Sequence, residues 1–243
     1  MKIKLSILSI SIALMLAIIS CGSPKKKNVE KTVTNVVETK TTVNTSEFDS
    51  LFIKDNELST KDIKKENIKY FNLNTEKSLL TWFCVTHTGY VKFKGGQVGM
   101  ADDKIVSGEF EIAMDSIRDT DIDYDLMRIV LENTLKSDSF FNVKLHPTSI
   151  IKLTHIKTLE SGRYLIGGNL EVNGISNRIS FQTQIIQNDS SILVLTDRFY
   201  IDRTKWGVTI YSRNFEQTDD SFLFTDSVSI KVVAVLTKKN IIF

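Results

Sequence analysis

Histidine and cysteine are the side chains most often used as bases, nucleophiles and metal ligands, and this chain offers few of them. Its three histidines are His87, His146 and His155, and no two have the H-x-x-x-H spacing of a helical metal site. There is no G-x-S-x-G motif, no P-loop and no G-x-G-x-x-G motif. The acidic stretch 216–226 lacks the ligand order of an EF-hand. We therefore predict no catalytic residue, no metal site and no cofactor.

The N-terminal residues have the pattern of an export signal. Lys2 and Lys4 form a short positive region, and an apolar run of about 15 residues follows from Leu5 to Ile19. This run is shorter than the roughly 20 residues of a membrane-spanning helix, which favours a cleaved secretory signal. It ends in Ile18-Ile19-Ser20-Cys21, which resembles the bacterial lipoprotein signal. The alternative is a plain secretory signal in which the cysteine occurs by chance.

The lipoprotein resemblance implies that residues 1–20 are a signal peptide and that Cys21 is lipidated. Several acyl chains on one cysteine anchor a protein stably to a membrane, where one chain binds only marginally. Gly22 replaces the aspartate that marks inner-membrane retention in well-studied bacteria. By analogy, we expect a lipoprotein of the cell envelope, anchored in the outer membrane and facing the periplasm.

Cys84 is the only thiol left once Cys21 is lipidated, so no intrachain disulfide is possible. It lies in the strand-like run Leu79-Leu-Thr-Trp-Phe-Cys-Val85, where a small buried residue is expected. The alternative is a nucleophile, which would need a neighbouring base and a lowered pKa.

Composition divides the rest of the chain into a tether and one domain. Residues 21–67 contain three consecutive lysines at 25–27. A mixture rich in Thr, Val, Asn, Glu and Lys follows, without an aromatic residue until Phe48. This is typical of a flexible tether. Residues 68–238 suffice for one domain with its own core. The net charge of +2, with 25% charged residues, favours no nucleic-acid partner.

Eight segments of the domain are predicted to be strands, and several alternate apolar and polar residues, as strands with one buried face do. The segments are 79–86, 89–98, 105–115, 149–157, 163–172, 177–187, 191–201 and 226–237. Turns are predicted at Gly95-Gly96, Asp102-Asp103, Ser161-Gly162, Asn173-Gly174 and Asn188-Asp189. Eight antiparallel strands can close into a barrel whose interior is filled by side chains or holds one small ligand.

One helix is predicted at 122–136, between the third and fourth strands. Acidic residues precede it and Lys136 ends it, which suits the helix dipole. Leu126, Ile129 and Val130 are expected to face the barrel. The predicted fold class is therefore all-β, an eight-stranded antiparallel barrel with one helix inserted between strands 3 and 4.

The segment around this helix resembles the signature of the YceI-like family, through Leu131-x-x-x-Leu135-Lys136-Ser137-x-x-Phe140-Phe141-x-Val143-x-x-x-Pro147. Further family features follow in order: Trp82 with His87-Thr88-Gly89, Met114-Asp115-Ser116-Ile117, Gly168-x-Leu170-x-Val172-x-Gly174, Asp202-Arg203-x-x-Trp206-Gly207 and Asp226-x-Val228-x-Ile230. The resemblance spans about residues 70–236. Thr134 and Ile151 depart from it, since the family often has histidine and phenylalanine there.

The resemblance implies a lipocalin-like barrel that binds an amphiphile with an isoprenoid chain, such as a polyprenyl compound or a quinone. Such a tail offers no hydrogen bonds, and each five-carbon unit buried contributes roughly 3–4 kcal/mol gross. The expected ligand contacts are Trp82, Phe110, Ile112, Met114, Phe140, Phe141, Ile151, Phe181, Phe199, Ile201 and Arg203. Any of these apolar side chains could instead be plain core. Arg203 could form a structural ion pair or turn lock with Asp202, or bind an anionic head group.

Three functions remain open on the sequence. The leading one is a binding protein whose partners are an isoprenoid lipid and the membrane that holds its anchor. The second is a barrel with a filled interior that serves as a surface or interaction module. The third is a lipid-modifying or hydrolytic enzyme that uses His87 or Arg203. The oligomeric state is not predicted.

Overall fold

The computed structural model describes residues 45–84, 87–215 and 225–238, so the predicted signal peptide, Cys21 and the first part of the tether lie outside it. The described helices are α1 (Thr45–Leu51) and α2 (Asp125–Lys136). The described strands are β1 (Lys69–Leu73), β2 (Leu79–Cys84), β3 (His87–Ala101), β4 (Lys104–Ala113), β5 (Arg118–Asp119), β6 (Thr148–Thr158), β7 (Arg163–Val172), β8 (Ile175–Gln187), β9 (Ser191–Thr196), β10 (Phe199–Asp202) and β11 (Ser227–Lys238). No helix in these ranges has the length and apolar character to cross a membrane.

Eight of these strands close into a ring. Their order is β11-β2-β3-β4-β6-β7-β8-β9, and β9 pairs again with β11. Every neighbouring pair is antiparallel. The helix α2 lies between β4 and β6. The prediction of an eight-stranded antiparallel barrel with one helix inserted after the third long strand is therefore confirmed.

Two positions in the ring are each shared by two short strands that run in line. β1 pairs with β3 and β11 beyond the end of β2. In the same way, β10 continues β9 along β11. The strand predicted at 191–201 is thus broken at Asp197 and Arg198, where Asp197 forms an ion pair with Arg163. No strand was predicted at β1. It is a short strand, and only Phe71 and Leu73 of its five residues are buried.

Side chains fill one end of the barrel. The strand alternation holds along β8, where Ile179, Phe181 and Thr183 are buried and their neighbours are not. At the end formed by β1, the second half of β3 and the second half of β11, buried side chains pack into the core, among them Phe71, Val98, Met100, Ile192 and Leu236. The apolar cavity described below lies toward the opposite end.

The helix α2 covers that opposite end, but with a different face from the one predicted. Leu126 and Val130 are 61% and 59% exposed, and Ile129 is exposed as well, so the expected inward face is wrong. The buried residue of the helix is Glu132. Its carboxylate accepts hydrogen bonds from the Asp119 backbone N–H at 3.1 Å and from Arg118 at 2.6 Å. Because a buried carboxylate must be paired, this pairing sets the rotation of the helix.

The segment before β1 also differs from the prediction of a flexible tether over residues 21–67. From Thr45 onward it contains α1 and two short 3-10 turns, Lys54–Asn56 and Lys65–Asn67. Leu51 is fully buried and packs against Gly167 on β7. A Cβ atom added at Gly167 would lie only 2.8 Å from the Leu51 Cδ2 atom. The ring of Phe52 lies 4.9 Å from that of His155 on β6. The described half of the expected tether therefore packs against the outside of the barrel.

Candidate ligand cavity

A cavity of about 160 Å³ lies at the end of the barrel that α2 covers. Its wall is formed by the ends of β2, β4 and β7, the starts of β3, β6, β8 and β11, and β10. Leu131 and Leu135 of α2 and the pair Phe140-Phe141 complete it. Nearly all of the wall is hydrocarbon, which suits a dry site for an apolar ligand.

Nine of the eleven residues predicted to contact the ligand line this cavity. They are Trp82, Ile112, Met114, Phe140, Phe141, Ile151, Phe199, Ile201 and Arg203. The structure thus brings together residues from β2, β4, β6, β10 and the segment after α2. Their role in ligand binding stays a prediction.

Phe110 and Phe181 are the two that do not line the cavity. Phe110 packs on Phe93 with ring centroids 6.4 Å apart, and Phe181 stacks on Phe199 at 5.0 Å. Both point inward as the alternation predicts, but they lie deeper, in the filled part of the barrel. Alternation tells which face of a strand is buried, and it does not tell how far along the barrel axis a residue lies.

Other wall residues were not predicted to contact a ligand. They include Leu80, Val91, Ile117, Leu170, Val172, Ile179, Trp206, Val208, Val228 and Ile230. Several of them belong to strands whose alternation was recognised, so the signal was present, but it did not distinguish them from ordinary core.

Trp82 lies flat against a glycine on the neighbouring strand. It pairs with Gly89 across β2 and β3, and a Cβ on Gly89 would lie 2.5 Å from the Trp82 ring and 1.9 Å from the Arg118 carbonyl oxygen. Only glycine leaves room for the ring here. The buried Trp82 Nε1 has no hydrogen-bond partner among the described residues, and neither has Ser149 Oγ. Both residues belong to the cavity wall, whose surface is almost entirely hydrocarbon.

Trp206 closes another side of the cavity. Its Nε1 donates a hydrogen bond to the Leu170 carbonyl at 2.8 Å, so this indole is satisfied within the protein. The 3-10 turn Arg203–Trp206 ends at Gly207, whose φ of 76° is left-handed, a conformation that favours glycine.

Arg203 lines the cavity but directs its Nε and Nη1 hydrogen bonds to backbone carbonyls of the protein. It is 4% exposed and donates to the Val208 and Ile210 carbonyls, both at 2.8 Å. Its Nη2 atom lies 3.2 Å from Asp226 Oδ1. The prediction of an ion pair between Arg203 and Asp202 is wrong, because the ion-pair partner of Arg203 is Asp226. Asp202 instead caps the turn by accepting from the Thr204 N–H at 3.0 Å.

Cys84 ends β2 with its side chain in the cavity wall. Burial raises the pKa of its thiol above the usual value, although the positive charge of Arg203 works in the opposite direction. A raised pKa keeps the group as the neutral thiol, which is a poor nucleophile. The sulfur therefore acts chemically as part of the apolar wall.

His87 lies in the wall beside two carboxylates. Its Nδ1 atom is 3.4 Å from Asp121 Oδ2 and 3.8 Å from Asp119 Oδ2. Burial raises the pKa of Asp119. Burial also acts to raise the pKa of Asp121, but the hydrogen bond from the Thr88 N–H and the neighbouring side chains, His87 among them, outweigh it and lower that pKa.

An antiparallel barrel with an apolar cavity at one end defines a class of proteins that bind small ligands inside a β-barrel. Within that class, the chain belongs to the YceI-like family, whose YceI-like domain matches residues 71–236. No curated protein matches the chain.

The fold is shared with solved structures, of which two follow. BcnA of Burkholderia cenocepacia is 19% identical, with a TM-score of 0.55 over 67% of this chain and 98% of BcnA. A polyisoprenoid-binding domain from Saccharophagus degradans is 15% identical, with a TM-score of 0.50 over 71% of this chain and 99% of that domain.

Proposed function

We propose that this protein is a lipid-anchored, extracytoplasmic binding protein whose barrel cavity holds the isoprenoid chain of an amphiphile. The apolar cavity between the barrel strands and α2 is the observation that carries this proposal. The match to the YceI-like family and the fold shared with a polyisoprenoid-binding domain support it. Binding rather than catalysis is proposed because the wall is hydrocarbon and its thiol is held neutral.

The size of the cavity limits how much ligand is buried. A cavity of about 150 Å³ lined by aliphatic and aromatic side chains holds a benzene molecule. The cavity of about 160 Å³ therefore takes roughly one five-carbon unit as it stands. A longer chain must extend through the open side of the cavity or displace wall side chains.

We propose an amphiphile rather than a pure hydrocarbon because the wall residues Trp82 and Ser149 each carry a buried polar atom without a partner among the described residues. Trp82 Nε1 can only donate, so it calls for an oxygen acceptor, and Ser149 Oγ can donate or accept. A buried polar atom without a partner destabilises the fold by about 1–3 kcal/mol. A ligand with a hydroxyl or carbonyl oxygen near its tail would satisfy both the apolar wall and these atoms.

The proposed anchor rests on Ile18-Ile19-Ser20-Cys21 and is tested separately from the cavity. The Cys21→Ser variant is expected to be released from membranes, or to stay uncleaved, when cells are fractionated. Full partitioning of a processed Cys21→Ser protein with the membrane would contradict the anchor and leave the cavity proposal untouched.

The ligand is tested directly. Solvent extraction of the purified protein followed by mass spectrometry is expected to release an isoprenoid compound. Both tryptophans of the sequence line the cavity, so their fluorescence should change when delipidated protein is titrated with farnesol. An interaction module with a filled barrel predicts no extracted lipid and no saturable fluorescence change, and that result would overturn the proposal.

A further inference from the structure

Three side chains that could ligate a metal ion converge beside the cavity. His87 begins β3, Asp119 lies in β5, and Asp121 follows two residues later. One ligand atom from each, His87 Nδ1, Asp119 Oδ2 and Asp121 Oδ2, lies within 4.8 Å of the other two. β5 pairs with β3 through Gly89 and Asp119, so the backbone pairing of the two strands sets this distance.

The two carboxylates are held in position by their other oxygens. Asp119 Oδ1 accepts hydrogen bonds from the Asp121 N–H at 3.2 Å and from the Ile122 N–H at 2.9 Å. Asp121 Oδ1 accepts from the Thr88 N–H at 2.9 Å. These bonds orient both groups and leave the two Oδ2 atoms pointing toward His87.

The second oxygen of Asp119 is buried without a hydrogen-bond partner. The Asp119 side chain is 0% exposed, and neither its Oδ2 atom nor His87 Nδ1 has a hydrogen-bond partner among the described residues. The adjacent basic group, Arg118, is already paired with Glu132. Leaving such a carboxylate oxygen buried and unmatched is unfavourable, so the arrangement calls for a cation between the three atoms.

We infer that His87, Asp119 and Asp121 bind one divalent transition-metal ion. One imidazole nitrogen with two carboxylate oxygens suits Zn²⁺ or Mn²⁺. Zn–N and Zn–O bonds of about 2.1 Å place tetrahedral ligand atoms about 3.4 Å apart. The observed separations of 3.4 and 3.8 Å from His87 Nδ1 therefore need only small movements.

Three protein ligands leave at least one coordination position free. Since His87 is also part of the cavity wall, the ion lies beside the cavity, and the free position is filled by water or by an oxygen of a bound molecule. The competing explanation is that a proton, rather than a metal ion, neutralises part of the charge of this cluster.

Isothermal titration separates the two explanations. The full chain, purified in detergent without a histidine tag and stripped with a chelator, is titrated with ZnCl₂ and with MnCl₂. We expect one ion per chain and a melting temperature that rises with the metal concentration. X-ray absorption of the Zn²⁺ form should show a first shell of nitrogen and oxygen with one imidazole.

Asparagine variants test the ligands with little change to the fold. Asp119→Asn and Asp121→Asn keep the Oδ1 atoms that accept from the backbone N–H groups. Each replaces Oδ2 with an NH₂ group, whose nitrogen does not ligate a metal ion. Each is expected to weaken binding at least about tenfold. Asp123→Asn is the matched control, because it removes the same charge from an exposed position two residues after Asp121 and outside the cluster. Its affinity should equal that of the unmodified chain.

Two results would overturn the inference. One is the absence of binding up to millimolar metal. The other is binding whose affinity is the same in Asp119→Asn as in Asp123→Asn, provided that the metal-free melting temperatures show both variants to be folded. Either result would show that these three side chains do not form a metal site.

Discussion

Filling the cavity with a larger side chain is the sharpest test of whether it holds a ligand. Ile179 is buried on β8 and lines the cavity, whereas Phe181 is buried on the same face of the same strand and does not line it. An Ile179→Trp change adds about six heavy atoms, as many as benzene, which a cavity of this size can hold. The new ring should therefore occupy the space now available to ligand.

The expected effects of the two substitutions differ in both readouts. Ile179→Trp should lower stability by less than Phe181→Trp does, because its ring enters empty volume, although each change adds an indole N–H to the interior. Excluding one five-carbon unit removes roughly 4 kcal/mol of gross burial energy, so affinity for farnesol should fall by roughly 10²–10³-fold. Phe181→Trp enlarges a side chain already stacked on Phe199, and overpacking should lower stability by about 1–3 kcal/mol with a smaller effect on ligand.

Urea denaturation, extracted lipid content and farnesol titration are measured on both variants. A large loss of stability in Ile179→Trp, equal to that in Phe181→Trp, would show that the interior at Ile179 is already close-packed. Unchanged lipid content in a stable Ile179→Trp protein would show that the ligand binds elsewhere. Either outcome refutes the reasoning.

Three further predictions follow from contacts in and around the barrel. Gly89→Ala should lower stability by about 1–3 kcal/mol, because the new Cβ meets the Trp82 ring and a carbonyl oxygen. Gly95→Ala, whose Cβ has nothing within 4 Å, is the control and should cause no such loss when both are measured by calorimetry. Arg203→Met should lower the free energy of unfolding in urea by about 3–5 kcal/mol, since it leaves Asp226 without its buried partner; a loss below about 1 kcal/mol would contradict this. Burial, with Arg178 adding to it, lowers the pKa of His155 below 6.5, so the folded state resists a proton that the unfolded state binds. The melting temperature should therefore fall as the pH drops from about 7.5 to 5.5, and an equal fall in His155→Gln would rule out this cause.

The extent to which the structure could be predicted from the sequence depends on the range of the interactions. Strand alternation identified the inward faces of Ile112 and Phe181 alike, because burial on a strand repeats every second residue. It did not show that Ile112 lies at the cavity and Phe181 in the filled half. That difference depends on the stagger between strands, which arises only when the ring closes.

The rotation of α2 shows a second limit. The apolar residues Leu126 and Val130 suggested an inward face, but the buried contact is made by Glu132 through Asp119 and Arg118. A pairing between side chains on separate elements carries no periodic signal. The same holds for His87 with Asp119 and Asp121, since β5 brings them together by pairing with β3.

The manner of ring closure has a consequence for folding kinetics. The closing strand β11 pairs with β2 and β9 at once, and the Val235 N–H donates to Ser78 Oγ across 157 positions of sequence. Contacts this distant raise the contact order and slow folding, because loop entropy is lost before they form. Until β11 docks, β2 and β9 remain as unpaired edges, which invite pairing with another molecule. We therefore expect refolding to be slow, and its yield to fall with protein concentration through exchange of β11 between copies.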